Sequence, residues 1–429
     1  MKKSRKRKKH VLHLVLIFLG TLIGVIIAGI AVIVAYNAAS GREKTADVSP
    51  SGITEAVSRL FSETIPEEER EQEENVKTPE PEIPGKYADI LSNPSYMAEN
   101  NIYAKETASA DETVLAFAGD ILFDPGYSVM AKLLQRQNGI YDSISPELMD
   151  EMKQADIFML NNEFPYSDRG TPTEGKQFTF RAKPESAGIL KEMGVDIVSL
   201  ANNHAYDYGE TALLDTLSTL EEAGIPYIGA GRDLEQASAP LYFITGDIKI
   251  AYVSATQIER LDNPDTRAAA EATPGVFRCW NPDMLLKVIG EAKENSDFVV
   301  VYIHWGTENT AELDWAQLDQ APKLAEAGAD LIIGDHPHCL QPIQYADGVP
   351  VVYSLGNFWF NSKTVDTCLV KAVIDENGLK SLQFIPAIQK GCETSLLEGT
   401  EKERVLEYMR SISPGVEISQ DGQITEKIT

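Results

Sequence analysis

The sequence predicts a layered α/β domain, preceded by one membrane-spanning helix and a disordered acidic stalk. Three observations carry that reading. Short apolar runs alternate with helical stretches from about residue 111 onward. Three helical stretches end in the same punctuation, Glu192-Met193-Gly194, Glu222-Ala223-Gly224 and Glu326-Ala327-Gly328, and each is followed by a strand-like run. An uninterrupted apolar segment near the N-terminus has a basic tail before it and an acidic stretch after it.

Residues 1–10 hold seven Lys or Arg and no acid, and Val11–Tyr36 contains no Asp, Glu, Lys or Arg. As a helix this segment would extend about 39 Å, enough to cross a hydrocarbon core of roughly 30 Å with some tilt. The apolar part of a cleaved signal peptide is shorter, about 7–15 residues. The expectation is therefore an uncleaved, single-pass signal anchor at residues 11–36. The tail 1–10 would stay cytoplasmic and the main domain would lie outside the cell membrane. His10 and His13 belong to this segment rather than to a site.

Residues 37–110 carry 15 acids against 7 bases. Runs such as Pro66-Glu67-Glu68-Glu69 and Pro79-Glu80-Pro81-Glu82 bury too little apolar surface to offset the entropy of ordering, and prolines and like charges extend such a chain. The formal charge of the whole chain is −27. Removing the seven positive charges of the tail and the excess of eight acids in the stalk leaves −26 for residues 111–429. That balance excludes a general nucleic-acid binder, which needs a basic face to release phosphate counterions. Four cysteines, none in a C-x-x-C spacing, exclude a disulfide-dense scaffold and indicate no structural zinc. Any pairing among Cys279, Cys339, Cys368 and Cys392 is unreadable from spacing.

In the domain, Val114–Phe117, Ile157–Leu160, Ile197–Leu200, Phe298–Ile303, Leu331–Ile333 and Val351–Tyr353 read as buried strands. A glycine closes each of the three helices named above, where a left-handed residue ends a helix without a Cβ penalty. Chemically capable side chains follow the strands: Asp120, then Glu163, then Asn203 and His204, then His304, then His336 and His338. Ligands in open α/β sheets gather at such carboxyl ends. Of six histidines, all four outside the N-terminal segment fall directly after strand-like runs. Loop polarity alone predicts Asn, Asp and Ser there. Imidazoles with carboxylates suit Mn, Zn or Fe, in one or two divalent ions.

These motifs, Gly119-Asp120, Asn162-Glu163, Asn202-Asn203-His204, His304-Trp305-Gly306, His336-Pro337-His338 and Ser354-Leu355-Gly356-Asn357-Phe358, resemble the CapA family of poly-gamma-glutamate capsule biosynthesis. The resemblance covers about residues 111–390, with 391–429 as a C-terminal extension that finishes the domain. That family is similar to the calcineurin-like metallophosphoesterases, which implies a four-layer α/β/β/α sandwich. It implies that Glu163 bridges two metals, that Asn203, His304 and His336 hold one, and that Asp120 and His338 hold the other. His204 would face the leaving group rather than a metal. The implied chemistry is metal-assisted hydrolysis of a phosphoester or an anionic surface polymer. One departure stands out: the phosphoesterase pattern Asp-x-His needs a histidine at position 122, where this chain has Leu122. The site of Asp120 is then short of a ligand, and Asp124 compensates only if the loop turns back.

Other positions have two readings. Asp207 either orients His204 or caps a helix beginning near Glu210. Arg181 and Lys183 either meet a substrate carboxylate or phosphate or pair with surface acids. Trp305 reads as packing, the Gly356 turn as a turn first and a site element second, and Cys339 as pointing away from the site. Lys402–Met409 reads as an amphipathic stretch. Two functions follow: a membrane-anchored hydrolase, or a non-catalytic subunit of capsule assembly or export that keeps the metal fold and works with other membrane proteins of that machinery.

Overall fold

Four of the six apolar runs continue as strands beyond their apolar part. In the computed structural model, which describes residues 85–109, 111–258 and 266–427, they become Thr113–Ile121, Ile157–Asn162, Phe298–His304 and Leu331–Asp335. The other two are Ile197–Ser199 and Val349–Val352. The extension matters because Asp120, Asn162, His304 and Asp335 then lie inside hydrogen-bonded ladders rather than in loops. These strands are buried along nearly their whole length, which is why they read as continuous apolar runs instead of alternating ones.

The strands form two sheets. In the seven-stranded sheet Ile248–Thr256, Phe298–His304, Leu331–Asp335 and Val349–Val352 run parallel. In the ten-stranded sheet Thr113–Ile121, Ile157–Asn162, Ile197–Ser199 and Tyr227–Ile228 run parallel, with Val365–Asp375 and Gly378–Lys390 added antiparallel. Three apolar clusters separate four layers. Phe117 and Met159 from one sheet meet Tyr302 and Ile333 from the other in the middle. Helices Pro146–Lys153, Ala187–Met193 and Gly209–Ala223 cover the outer face of the ten-stranded sheet. Helices Asp283–Glu294 and Trp315–Glu326 cover the other. The architecture is therefore the expected α/β/β/α sandwich. Gly194 and Gly224 end their helices in the left-handed region, at φ of 79° and 63°.

The start of the domain differs from the expected boundary at 111. Ile102–Ala104 pairs in parallel with Leu241–Thr245 and joins the seven-stranded sheet. Ile102 is buried, Lys105 pairs with Asp196, and the Tyr87 hydroxyl donates to Asp297 at 2.7 Å. Apolar burial and two buried or half-buried acids recruit this segment, which charge counting assigned to the stalk. At the other end, helix Gly399–Ile412 buries Val405, Leu406 and Met409, the apolar face read in Lys402–Met409. Through these three residues the segment after 390 packs into the apolar layer between the sheets. The expected anchor Val11–Tyr36 and the stalk before residue 85 lie outside the described residues. Among the described residues no helix is long and apolar enough to cross a membrane.

Candidate metal centre

The carboxyl ends of the parallel strands of both sheets meet at one place. From the seven-stranded sheet, His304 ends its strand beside Asp335 in register, and the backbone then turns through His336 and His338. Both histidines sit at positive φ, 96° and 58°. Strain of this kind, about 1–3 kcal/mol per residue, persists where surrounding structure dictates it and clusters at functional sites. From the ten-stranded sheet come Asp120, Glu163 and Asn203.

Glu163, His304, His336 and Asn203 form the first group. His304 Nδ1 lies 2.9 Å from Asp335 Oδ1, and burial holds its imidazole down at about 3, so the ring is neutral. With Nδ1–H given to Asp335, Nε2 carries a lone pair. It faces His336 Nδ1 at 3.0 Å, Asn203 Oδ1 at 2.8 Å and Glu163 Oε1 at 3.8 Å. Only His336 can bring it a hydrogen; the amide and carboxylate oxygens bring further lone pairs. Burial pushes His336 down as well, and the neighbouring His304 adds to this.

Asp120, Glu163 and His338 form the second group, their donor atoms all within 4.8 Å of one another. Asp120 Oδ1 accepts from Asn161 Nδ2 at 2.8 Å, and Oδ2 lies 3.0 Å from His338 Nδ1. Burial opposes charge on both residues. Their mutual contact outweighs it, lowering Asp120 and raising His338. Asn357 Oδ1 also lies 2.9 Å from His338 Nδ1. Leu122 is fully buried in the apolar layer and contributes nothing here. Asp124 does not replace it, because its carboxylate accepts from the backbone N–H of Gly126 and of Arg181, both at 2.7 Å.

Glu163 stands between the groups. It is fully buried, and neither of its carboxylate oxygens has a hydrogen-bond partner. Burial pushes its carboxyl well above the ordinary range, and the charges of Asp120 and Asp335 push it further. Burial likewise raises Asp335, whose Oδ2 is also unpartnered. A buried carboxylate without a partner is costly, and an opposed cation relieves it. The orphaned oxygens and the convergent lone pairs fit divalent cations, in the positions implied for Asp120, Glu163, Asn203, His304, His336 and His338.

His204 lies beside this centre. Its Nδ1 is 2.7 Å from Asp207 Oδ2, its Nε2 faces Glu163 Oε1 at 3.9 Å, and Phe180 packs on its ring at 4.2 Å. Burial lowers its imidazole, with Lys176 adding to that and Asp207 opposing it. Of the two readings of Asp207, the helix cap is not made: helix Gly209–Ala223 starts after Tyr208 without a side-chain cap, while Asp207 contacts His204, the Phe180 N–H at 2.7 Å and Lys176 Nζ at 2.5 Å. Lys176 also reaches the Asn203 carbonyl. It is the cation brought to the centre. Arg181 instead stacks on Tyr208 at 4.3 Å, and Lys183 is exposed before a short 3-10 turn. Sequence reasoning missed Lys176, Asp335 and Asn161 as site groups and read the turn Ser354-Leu355-Gly356-Asn357 as a site element only second; for Asp335 the available signal was its place directly before His336. Trp305 is packing, buried and bonded through Nε1 to the Tyr353 carbonyl at 3.0 Å. Cys339, Cys368 and Cys392 are free thiols, and Cys339 Sγ points to the Thr310 carbonyl. A cleft of about 470 Å³ opens onto Asn203 and His336, with Glu308, Trp280 and Trp315 on its walls.

Residues 114–362 match the family model described as bacterial capsule synthesis protein PGA_cap. The chain belongs to this family. Among curated members, the PGA biosynthesis protein CapA of Bacillus subtilis is 31% identical over 286 residues, covering 66% of this chain and 73% of that one. The capsule biosynthesis protein CapA of Bacillus anthracis is 33% identical over 278 residues, covering 62% and 65%. A solved dimetal phosphatase from Danio rerio aligns with 55% of this PGA_cap chain and 96% of its own, at 11% identity and a TM-score of 0.31, a distant likeness. The PGA_cap match spans every candidate ligand and His204, while the strand Ile102–Ala104 and the helix Gly399–Ile412 lie outside it.

Proposed function

We propose that this capsule synthesis family member is a membrane-anchored, metal-dependent hydrolase acting on a phosphoester or on an anionic surface polymer. One observation carries the reading: a buried carboxylate, Glu163, with two unpartnered oxygens lies between two sets of converging donors, beside a histidine held by a buried acid. Asn203, His304 and His336 would hold one cation, Asp120 and His338 the other, with Glu163 shared. Bound there, divalent ions supply an activated water near neutral pH and neutralise charge developing on the substrate oxygens.

The chain's own residues do the rest. Asp335 fixes the tautomer of His304 and turns Nε2 toward the centre. Asp207 commits Nδ1 of His204, so Nε2 is the atom that holds or passes a proton to the leaving oxygen. Phe180, packed against the His204 ring, covers that face. Lys176 pairs with the other oxygen of Asp207 and so fixes the carboxylate that orients His204. The basic tail and the charge-free run Val11–Tyr36 support an anchor, with the domain on the outer side.

The test is hydrolysis of a generic phosphodiester by the full chain loaded with Mn or Zn, with His204→Ala as the control. Hydrolysis lost in the variant at unchanged metal content supports the enzyme. Equal rates in both remove the assignment of His204. A deletion strain whose surface polymer is restored equally by wild type and His204→Ala would favour the assembly scaffold instead.

A further inference from the structure

We propose that Asn357 is a ligand of the second cation, so that Asp120, Glu163, His338 and Asn357 together make a four-donor site. The inference rests on the metal-dependent reading of the centre and adds a residue to it. Position 122 is the place where a ligand is lacking, and neither Leu122 nor Asp124 is available. The neighbouring strand supplies one instead.

His338 Nδ1 has one hydrogen at most. It faces two oxygens at bonding distance, Asp120 Oδ2 at 3.0 Å and Asn357 Oδ1 at 2.9 Å. A single N–H serves one of them well. A cation among the three serves all of them, since each then offers a lone pair. Asp120 turns this same oxygen inward because its other oxygen is held by Asn161. Glu163 has both oxygens to spare.

The backbone holds Asn357 in place for this. Asn357 pairs with Asp120 in parallel register, and the Asp120 N–H donates to the Gly356 carbonyl at 3.2 Å. That approach needs two glycines. Gly356 has φ of 69°, and a Cβ on Gly119 would sit 1.9 Å from the Gly356 oxygen. Asn357 is 3% exposed, so its amide oxygen has no alternative in bulk water.

The donor set also differs in chemistry from its neighbour. Asp120, Glu163 and Asn357 give three oxygens to one imidazole. The first site gives two imidazoles, His304 and His336, with two oxygens. Oxygen-rich sets favour harder ions such as Mn and Mg, and nitrogen-rich sets favour Zn. The two positions should therefore load selectively rather than equally.

The experiment measures metal per full-length chain, purified in detergent, after equilibration with Mn and separately with Zn. Isothermal titration gives the affinities. Wild type is expected to take two Mn ions, and Asn357→Ala one, with at least about a tenfold loss at the missing site. Asn357→Asp should keep two, and His336→Ala should lose the other ion. Wild-type crystals soaked in Mn give a check that needs no variant: the Asn357 amide oxygen is expected about 2.0–2.6 Å from the second anomalous peak. An oxygen more than ~3 Å away, or Asn357→Ala binding two ions with unchanged affinity, would overturn the assignment while leaving the metal reading intact. Wild type binding no ion at all would end both.

Discussion

Glu163→Gln is informative because its expected sign is unusual. A buried acid that serves the fold loses stability when replaced by its amide. One under electrostatic stress gains it. In the metal-free chain Glu163 has no hydrogen-bond partner and lies with its donor atom within 4.8 Å of Asp120. Two like charges at that distance repel by about 3–4 kcal/mol at an effective dielectric constant near 20. The carboxyl escapes the repulsion by holding a proton, and burial does raise it well above 4.5. Holding that proton at pH 7 costs about 1.4 kcal/mol per pH unit above the ordinary value, or about 3–4 kcal/mol. Either route leaves the metal-free wild type carrying about 3 kcal/mol that glutamine avoids. The new amide gives back part of this through imperfect hydrogen bonding, about 1–2 kcal/mol. A net gain of about 1–2 kcal/mol should raise the melting temperature by about 2–5 °C.

The pH dependence fixes the cause. The folded value of Glu163 lies above the unfolded one. Its contribution is therefore fully favourable below the ordinary carboxylate range and is lost as pH rises. The advantage of Glu163→Gln should thus be present at pH 7.5 and shrink toward pH 4.5. The assay is thermal unfolding of the chelator-dialysed full chain at both pH values, repeated with Mn. Added Mn should raise the wild-type melt and barely move the variant. A metal-free variant that melts below wild type at pH 7.5, or an advantage that does not shrink in acid, would refute the reasoning.

Asp335→Asn removes the carboxylate behind His304 and should weaken the first ion about 10–100-fold by titration calorimetry, with the second ion unaffected. His204→Asn should lower kcat on a phosphodiester by about 10²–10⁴ while metal content stays constant. Lys176→Met removes the cation that helps hold His204 down, so the His204 imidazole should titrate at higher pH in NMR and the alkaline limb of activity, where the proton donor is lost, should move up with it. Gly334→Ala would place a Cβ 2.2 Å from the Tyr353 carbonyl oxygen and 2.4 Å from Trp305 Nε1. Both are fixed in the core, and the melt should show a loss of about 3 kcal/mol or more.

What was legible in the sequence follows from what is local. The parallel strands are covered on both faces, so each appears as an apolar run with its chemical residue at the carboxyl end. Gly194 and Gly224 mark helix ends because a left-handed residue is a one-residue property. The strand Ile102–Ala104 buries only Ile102 and sends Tyr103 and Ala104 to solvent, so it has no run to detect. Asn357 becomes a site group only through its register with Asp120, a partner 237 positions away along the chain. Lys176, Arg181 and Lys183 lie within one loop, and composition cannot tell which of the three turns inward. The structure selects Lys176 because Asp207 and the Asn203 carbonyl are both within its reach.

Each proposed cation site draws on both sheets. Asn203 and Glu163 face His304 and His336 across the layers, and Asp120, Asn357 and Glu163 face His338. Between the sheets below lie mainly apolar contacts, with polar links such as Tyr302 Oη to the Ala118 carbonyl at 2.9 Å and Ser199 to Ser254 at 2.8 Å. Bound ions would therefore act as cross-links at the rim of an interface that is otherwise held by burial. They would also reverse the local field. Asp120, Glu163 and Asp335, once ionised against bound cations, add negative charge to an already acidic domain, and the cleft beside them carries Glu308 and Asp314. A polyanion approaching the metal-free centre meets the acids of the cleft wall, Glu308 and Asp314, with Lys176 as a cation near the centre. Two divalent ions offset those three carboxylates and leave a positive focus in a negative surface, which attracts one phosphate or carboxylate at a time and not a whole chain of them. Metal loading and affinity for an anionic substrate should then be one linked property: an anion such as inorganic phosphate should tighten Mn binding by the same factor by which Mn tightens phosphate binding.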